Sequence, residues 1–115
     1  MPNTYFVDID GTILYQPEDF SLTMDSSTLV TLPDAKYKLM KWHCEGHHII
    51  LVTGRPESMR LLTEKHLRNS GIVYDRLVMG VGSGPRVLIN DYVDSPKAIA
   101  HNVLRNKDGL AFIKD

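Results

Sequence analysis

The stretch Tyr5-Phe6-Val7-Asp8-Ile9-Asp10-Gly11-Thr12 constrains this chain more than any other. A short apolar run ends in two carboxylates, two residues apart, followed at once by Gly-Thr. Side chains at i and i+2 leave a strand on the same side, so Asp8 and Asp10 can face one small volume at the strand's end. Gly11 lets the chain turn sharply there. Two acids this close repel when both ionise; such a pair holds a metal, divides its protonation states, or does both. A single Asp after a strand would be ordinary as a cap or turn residue, whereas the D-x-D-G-T string points to chemistry.

The rest of the chain alternates strand and helix patterns. Thr4 to Val7 reads as the first strand, and Tyr15 to Thr31 as a polar loop with a short hairpin through Ser27 to Val30. Pro33 suits a first helical turn. Ala35, Leu39 and Trp42 follow at helical spacing, with Met40 beside them, until Gly46 ends the helix. His48 to Val52 is a near-continuous apolar run, the pattern of a buried parallel strand. Pro56 opens a second helix, with Met59, Leu62, His66 and Leu67 on or beside one face and Gly71 at its end. Arg76 to Met79 predicts a short strand, and Gly80 to Pro85 a glycine-rich loop. Val87 to Ile89 predicts another buried strand, Ser95-Pro96 the start of a third helix bearing Ile99 and Val103, and Leu110 to Ile113 a last strand. The alternation predicts an α/β domain with a parallel sheet and right-handed crossovers.

Length and composition narrow the class. The 115 residues suit one domain, and a composition 43% hydrophobic and 23% charged is that of a globular protein. A formal net charge of -1 supplies no global basic field for nucleic acid. The lone Cys44 cannot form an internal disulfide and fits a reducing compartment. No apolar run would span a bilayer, and the N-terminus lacks a signal-peptide layout, so the expected location is cytoplasmic.

Polar residues collect at strand ends. The first strand ends at Asp8, the second at Thr53-Gly54-Arg55, and the Val87 to Ile89 run at Asn90-Asp91, with Asp94 beyond. Ligands of parallel sheets sit at the carboxyl ends of strands. Carboxylates for a cation, a hydroxyl, and backbone N–H groups at a helix start together suit phosphoryl transfer.

These residues resemble the motifs of the haloacid dehalogenase-like (HAD) hydrolase superfamily. Asp8-x-Asp10-Gly11-Thr12 matches its first motif, Ile49 to Thr53 its second, and Val87 to Asp94 its fourth, with Asn90 in place of the first acid. A narrower likeness, carried by Thr53-Gly54-Arg55-Pro56-Glu57, Arg60, Thr63, Leu67, Tyr74-Asp75, Leu77 and Met79, is to the phosphatase domains of phage-type polynucleotide kinases and to small stand-alone phosphatases. The resemblance implies a three-layer Rossmann-like core, mainly parallel, spanning residues 1–115 as one domain. No cap domain fits the spacing. About twenty residues separate Thr12 from Pro33, and about thirty separate Thr53 from Arg86. An uncapped crevice would accept bulky substrates or borrow a lid from a second copy, so a homo-oligomer is compatible with it.

The resemblance also implies roles. Asp8 would be the nucleophile, forming an aspartyl-phosphate, and Asp10 would protonate the leaving oxygen and then activate water. Mg²⁺ would bind Asp8, the Asp10 backbone carbonyl and Asp91, with Asp94 behind them. Thr53 and Gly54 would hold phosphate oxygens, and Arg55 could reach substrate. The family's usual Lys is missing, because no Lys lies between Lys65 and Lys97; Arg86 takes its place as the candidate phosphate-binding cation. The implied activity is a Mg²⁺-dependent phosphomonoesterase acting on a phosphorylated sugar or sugar acid, or on a nucleic-acid 3′-phosphate. A phosphate-binding or regulatory protein with the same fold and little turnover is the alternative reading. A phospho-receiver domain would leave Asp10 unexplained. His43 and His47 read as a basic helix end, Arg60 as facing solvent or an acid, and Lys36, Lys38 and Lys41 as a solvated face.

Overall fold

In the computed structural model, residues 1–19, 21 and 29–114 are described. Three parallel strands form the sheet, in the order β1 (Thr4–Asp8), β2 (His48–Val52), β3 (Arg76–Val78). Helix α1 (Ala35–Cys44) links β1 to β2. A 3₁₀ turn (Glu57–Met59) running into α2 (Arg60–Asn69) links β2 to β3. The chain is thus an α/β protein built on a parallel sheet, as its alternation predicts.

Register decides which residues meet. Val7, Leu51 and Leu77 are aligned across the three strands, as are Tyr5 and Ile49 across two, and these positions point into the core. Both crossovers step the same way across the sheet, so right-handed connections place both helices on one face. From α1 come Ala35, Leu39 and Trp42, with Trp42 stacked on Tyr5 at a ring-centroid distance of 3.9 Å. From α2 come Thr63, His66 and Leu67. Helix α1 closes where Gly46 adopts φ 87°, a left-handed conformation in which its N–H reaches the His43 carbonyl. Gly71, at φ 72°, ends α2 in the same way.

The opposite face is less covered. Phe6, Ile50, Val52 and Val78 share it with Asp8, and Phe6 remains 58% exposed. Among the described residues no strand pairs with the outer edge of β1.

Three expectations fail in the last third of the chain. Val87 to Ile89 forms no strand; Val87 and Ile89 are 79% and 90% exposed. A strand exists only when paired, and an apolar run of three residues states what could be buried without fixing which edge will take it. The helix expected from Ser95 is absent; of its intended apolar face, Ile99 lies in solvent and Val103 packs against the core from irregular chain. Short helices are marginal in water without a surface to pack on. Leu110 to Ile113 is a run of turns, not a strand: the Ile113 N–H donates to the Leu110 carbonyl, and these two residues, three apart, are the buried ones. That turn docks on the chain just ahead of α1, where the Leu110 N–H donates to the Pro33 carbonyl (2.9 Å), and Gly109 meets the Pro33 backbone with no room for a Cβ. The hairpin expected through Ser27 and Thr28 lies outside the described residues; the bridge seen nearby joins Thr31 to Leu14. No described helix is long and apolar enough to cross a membrane.

Trp42→Ala removes the largest fully buried side chain. It is expected to destabilise the fold by about 3–5 kcal/mol in urea titrations, whereas Phe112→Ala, an exposed site, should change stability by no more than about 0.5 kcal/mol.

Candidate active site

The carboxyl end of β1 is shaped by one carbonyl. The N–H groups of Thr12, Ile13 and Leu14 all donate to the Ile9 carbonyl, at 3.0–3.1 Å, and Gly11 turns the chain at φ 86°. Ile9, Ile13 and Leu14 are thereby buried, while Asp8 and Asp10 flank Ile9 at the rim. The sequence alone accounts for this local form: alternating apolar and acidic residues followed by the glycine that a left-handed turn needs.

Each carboxylate has a guanidinium. Asp8 accepts from Arg86 Nη1 through Oδ1 (2.8 Å) and from the Thr12 hydroxyl through Oδ2 (3.0 Å). That pair is open to solvent, with Arg86 42% exposed. Asp10 is held differently. Arg55 grips it with two parallel bonds, Nε to Oδ2 at 2.8 Å and Nη2 to Oδ1 at 2.7 Å. The Arg55 side chain is only 1% exposed and that of Asp10 14%. The remaining nitrogen of Arg55, Nη1, donates to the Thr63 hydroxyl at 3.0 Å and lies 3.1 Å from His66 Nδ1.

Thr53 stands at the end of β2, fully buried. Its hydroxyl accepts the Arg55 N–H at 3.1 Å, and its backbone is pinned by Val78 on one side and Val81 on the other. Gly54 is exposed beside it and lies so close to the Gly82 carbonyl that an added Cβ would sit 3.1 Å from the oxygen. The glycine-rich loop therefore borders this rim, as its position predicts. Where the second helix begins, Glu57 and Arg60 pair through two bonds, at 2.8 and 2.9 Å. The bonds from Arg60 hold the Glu57 carboxyl below its ordinary range and raise the guanidinium in turn.

The structure thus gathers Asp8, Asp10, Thr53, Gly54, Arg55 and Arg86 at adjacent strand ends. It does not bring in Asp91 or Asp94, which lie in the exposed segment after Ile89. Arg55, expected to reach substrate, is turned inward instead, because the bidentate carboxylate and the α2 partners take up its donors. The carboxylates are hard oxygen donors of the kind Mg²⁺ prefers. Yet among the described residues no three His, Cys, Asp or Glu side chains come together as a cation site, and the donor set is incomplete without Asp91. His47 Nδ1 accepts the Asn3 N–H. The roles of Thr63 and His66 were missed in the sequence, although both are polar residues on the stripe that Met59, Leu62 and Leu67 mark as apolar.

No protein-family model matches the chain, and no curated protein matches it. A solved structure does: the crystal structure of an MCSG target from Vibrio cholerae, 19% identical, with a TM-score of 0.53 over 77% of this chain and 79% of that one. At that identity the likeness supports the fold alone.

Removal of either arginine separates the two pairs. Arg55→Met leaves a largely buried carboxylate unpaired and is expected to cost about 3–5 kcal/mol in chemical denaturation. Arg86→Met, at a solvent-open pair, should cost no more than about 1 kcal/mol.

Proposed function

We propose that this protein is a Mg²⁺-dependent phosphomonoesterase of the HAD type, working through an aspartyl-phosphate on Asp8. The observation that carries the reading is the unequal treatment of two carboxylates at one strand end. Asp8 is reachable from solvent, while Asp10 is fixed from inside the core beside it. An Asp8 oxygen attacks phosphorus, the bond to the substrate oxygen breaks, and Asp10, protonated beforehand from solvent at the expense of one of its Arg55 bonds, delivers that proton to the leaving oxygen. Asp10 then takes a proton from water as the water attacks the acyl-phosphate, releasing inorganic phosphate and restoring Asp8. Arg86, already on Asp8, offers the attacking site positive charge. The Gly54 N–H and the Thr53 hydroxyl border the space where phosphate oxygens would lie.

Charge explains why a cation belongs in this reading. A carboxylate and a phosphate about 4 Å apart repel by about 4 kcal/mol per unit-charge pair at an effective dielectric near 20. Mg²⁺ held by the Asp8 carboxylate, the Asp10 carbonyl and Asp91 would offset that repulsion. The reading therefore includes a rearrangement on cation binding, toward a three-layer form, in which the run from Val87 to Asn90, unpaired in this structure, would pair along the open edge of β1 and carry Asp91 to Asp8. Three features support it: the unpaired edge of β1, the exposed apolar face around Phe6, and the exposed apolar run itself. Amides 87–90 are then expected to gain hydrogen-exchange protection when Mg²⁺ and phosphate are added; unchanged exchange would remove Asp91 from the site.

The near-neutral charge favours a phosphorylated sugar or sugar acid over a nucleic-acid 3′-phosphate. A homo-oligomer that lends a lid fits the same reading, as does a cytoplasmic location. The second reading, a phosphate-binding protein with little turnover, draws on the two arginines that already engage both carboxylates and on the absence, among the described residues, of three acidic, His or Cys side chains gathered as a cation site.

Phosphate release from a panel of sugar phosphates, nucleotides and 3′-phosphorylated oligonucleotides separates the two. The enzyme reading expects release that requires Mg²⁺ and falls to background in Asp8→Asn. Phosphate binding without release from any compound would favour the second.

A further inference from the structure

Helix α2 carries two polar side chains into the core, and both end on the same nitrogen. Thr63 and His66 are fully buried, and their Oγ1 and Nδ1 atoms lie 3.0 and 3.1 Å from Arg55 Nη1. Arginine has only donors and stays charged in proteins, so His66 Nδ1 must accept. That fixes the ring as the neutral tautomer with its proton on Nε2; an imidazolium would present a second donor to a guanidinium.

Thr63 and His66 act on Asp10 through Arg55, whose other two bonding nitrogens take both Asp10 oxygens. A planar guanidinium held at three corners has one orientation. The carboxylate it grips then has one as well.

We propose that His66, as the neutral Nε2–H tautomer, is a positioning residue: with Thr63 it sets the plane of Arg55 and so aims the Asp10 carboxylate at the reacting oxygen. This rests on the phosphomonoesterase reading for its catalytic consequence, though not for the tautomer itself. During turnover Asp10 alternates between giving and taking a proton. A guanidinium free to swing would follow the carboxylate; one anchored on α2 holds station while Asp10 changes charge. The role thus concerns the rate of the chemical step, not the capture of substrate.

The test has two arms. In the first, ¹⁵N-histidine spectra of the intact wild-type protein near neutral pH report the ring directly. The expected result is an unprotonated Nδ1 and a protonated Nε2 for His66; a proton on Nδ1 would overturn the proposal whether or not the protein is an enzyme. In the second, His66→Leu removes the acceptor, while His66→Asn places an amide oxygen close to where Nδ1 stood. His66→Leu is expected to lower kcat by about 10–100-fold with KM little changed, and His66→Asn to recover most of the loss at similar stability. Equal kcat in wild type and His66→Leu, or an equal loss in both variants at matched stability, would overturn the positioning role. Should His66→Leu fail to fold, Thr63→Val, which removes the other anchor, must show the same fall in kcat. Absence of phosphate release from the wild type would sink the enzyme reading and the positioning role built on it, leaving the tautomer to the spectra.

Discussion

The buried pair between Asp10 and Arg55 is the interaction on which the rest of this site depends. Taking a carboxylate and a guanidinium out of water is costly, and their attraction repays that cost only where the geometry is good and the leftover donors are satisfied. The two bonds are parallel and short, and both donors of the third guanidinium nitrogen, Nη1, face a hydroxyl and a ring nitrogen supplied by α2. The pair also joins three parts of the chain that are distant in sequence: the end of β1, the turn after β2, and the middle of α2. A change at any of them is felt at the other two.

This connection gives the two aspartates different characters despite their spacing of two residues. Asp10 has both oxygens engaged and its side chain largely covered. Asp8 shares its oxygens with a threonine hydroxyl and an exposed arginine. A carboxylate bound on both oxygens is a poor nucleophile, and one with an exchangeable surface partner is a better one. The division of labour proposed for the pair therefore follows from where each guanidinium comes from: one from within the core, the other from a solvent-facing loop.

The first two-thirds of the fold was legible in the sequence because local pattern and burial agree there. β2 is an apolar run with no other place to go. The helices carry their apolar residues at helical spacing, and Gly46 and Gly71 stop them through positive φ. Asp8, Asp10 and Thr53 could be read as neighbours since the ends of adjacent parallel strands must lie together. What could not be read was pairing at long range. The Val87 to Ile89 run has the composition of a strand, but composition does not say which edge it joins, and here it joins none. The direction of Arg55 was illegible for a related reason. An arginine after a strand can point out to a ligand or back into the core, and only the placement of Thr63 and His66 one helical turn apart, beneath it, decides between them.

The account's central claim is that the arginines divide the two carboxylates into a nucleophile and a proton carrier. The most direct test is to quench the protein during turnover, reduce any acyl-phosphate with borohydride, and locate the modified residue by mass spectrometry. Reduction converts a phosphorylated aspartate to homoserine. The account predicts homoserine in place of Asp8 and unmodified Asp10. Modification at Asp10, or turnover that leaves both aspartates intact under conditions that trap acyl-phosphates, would contradict it.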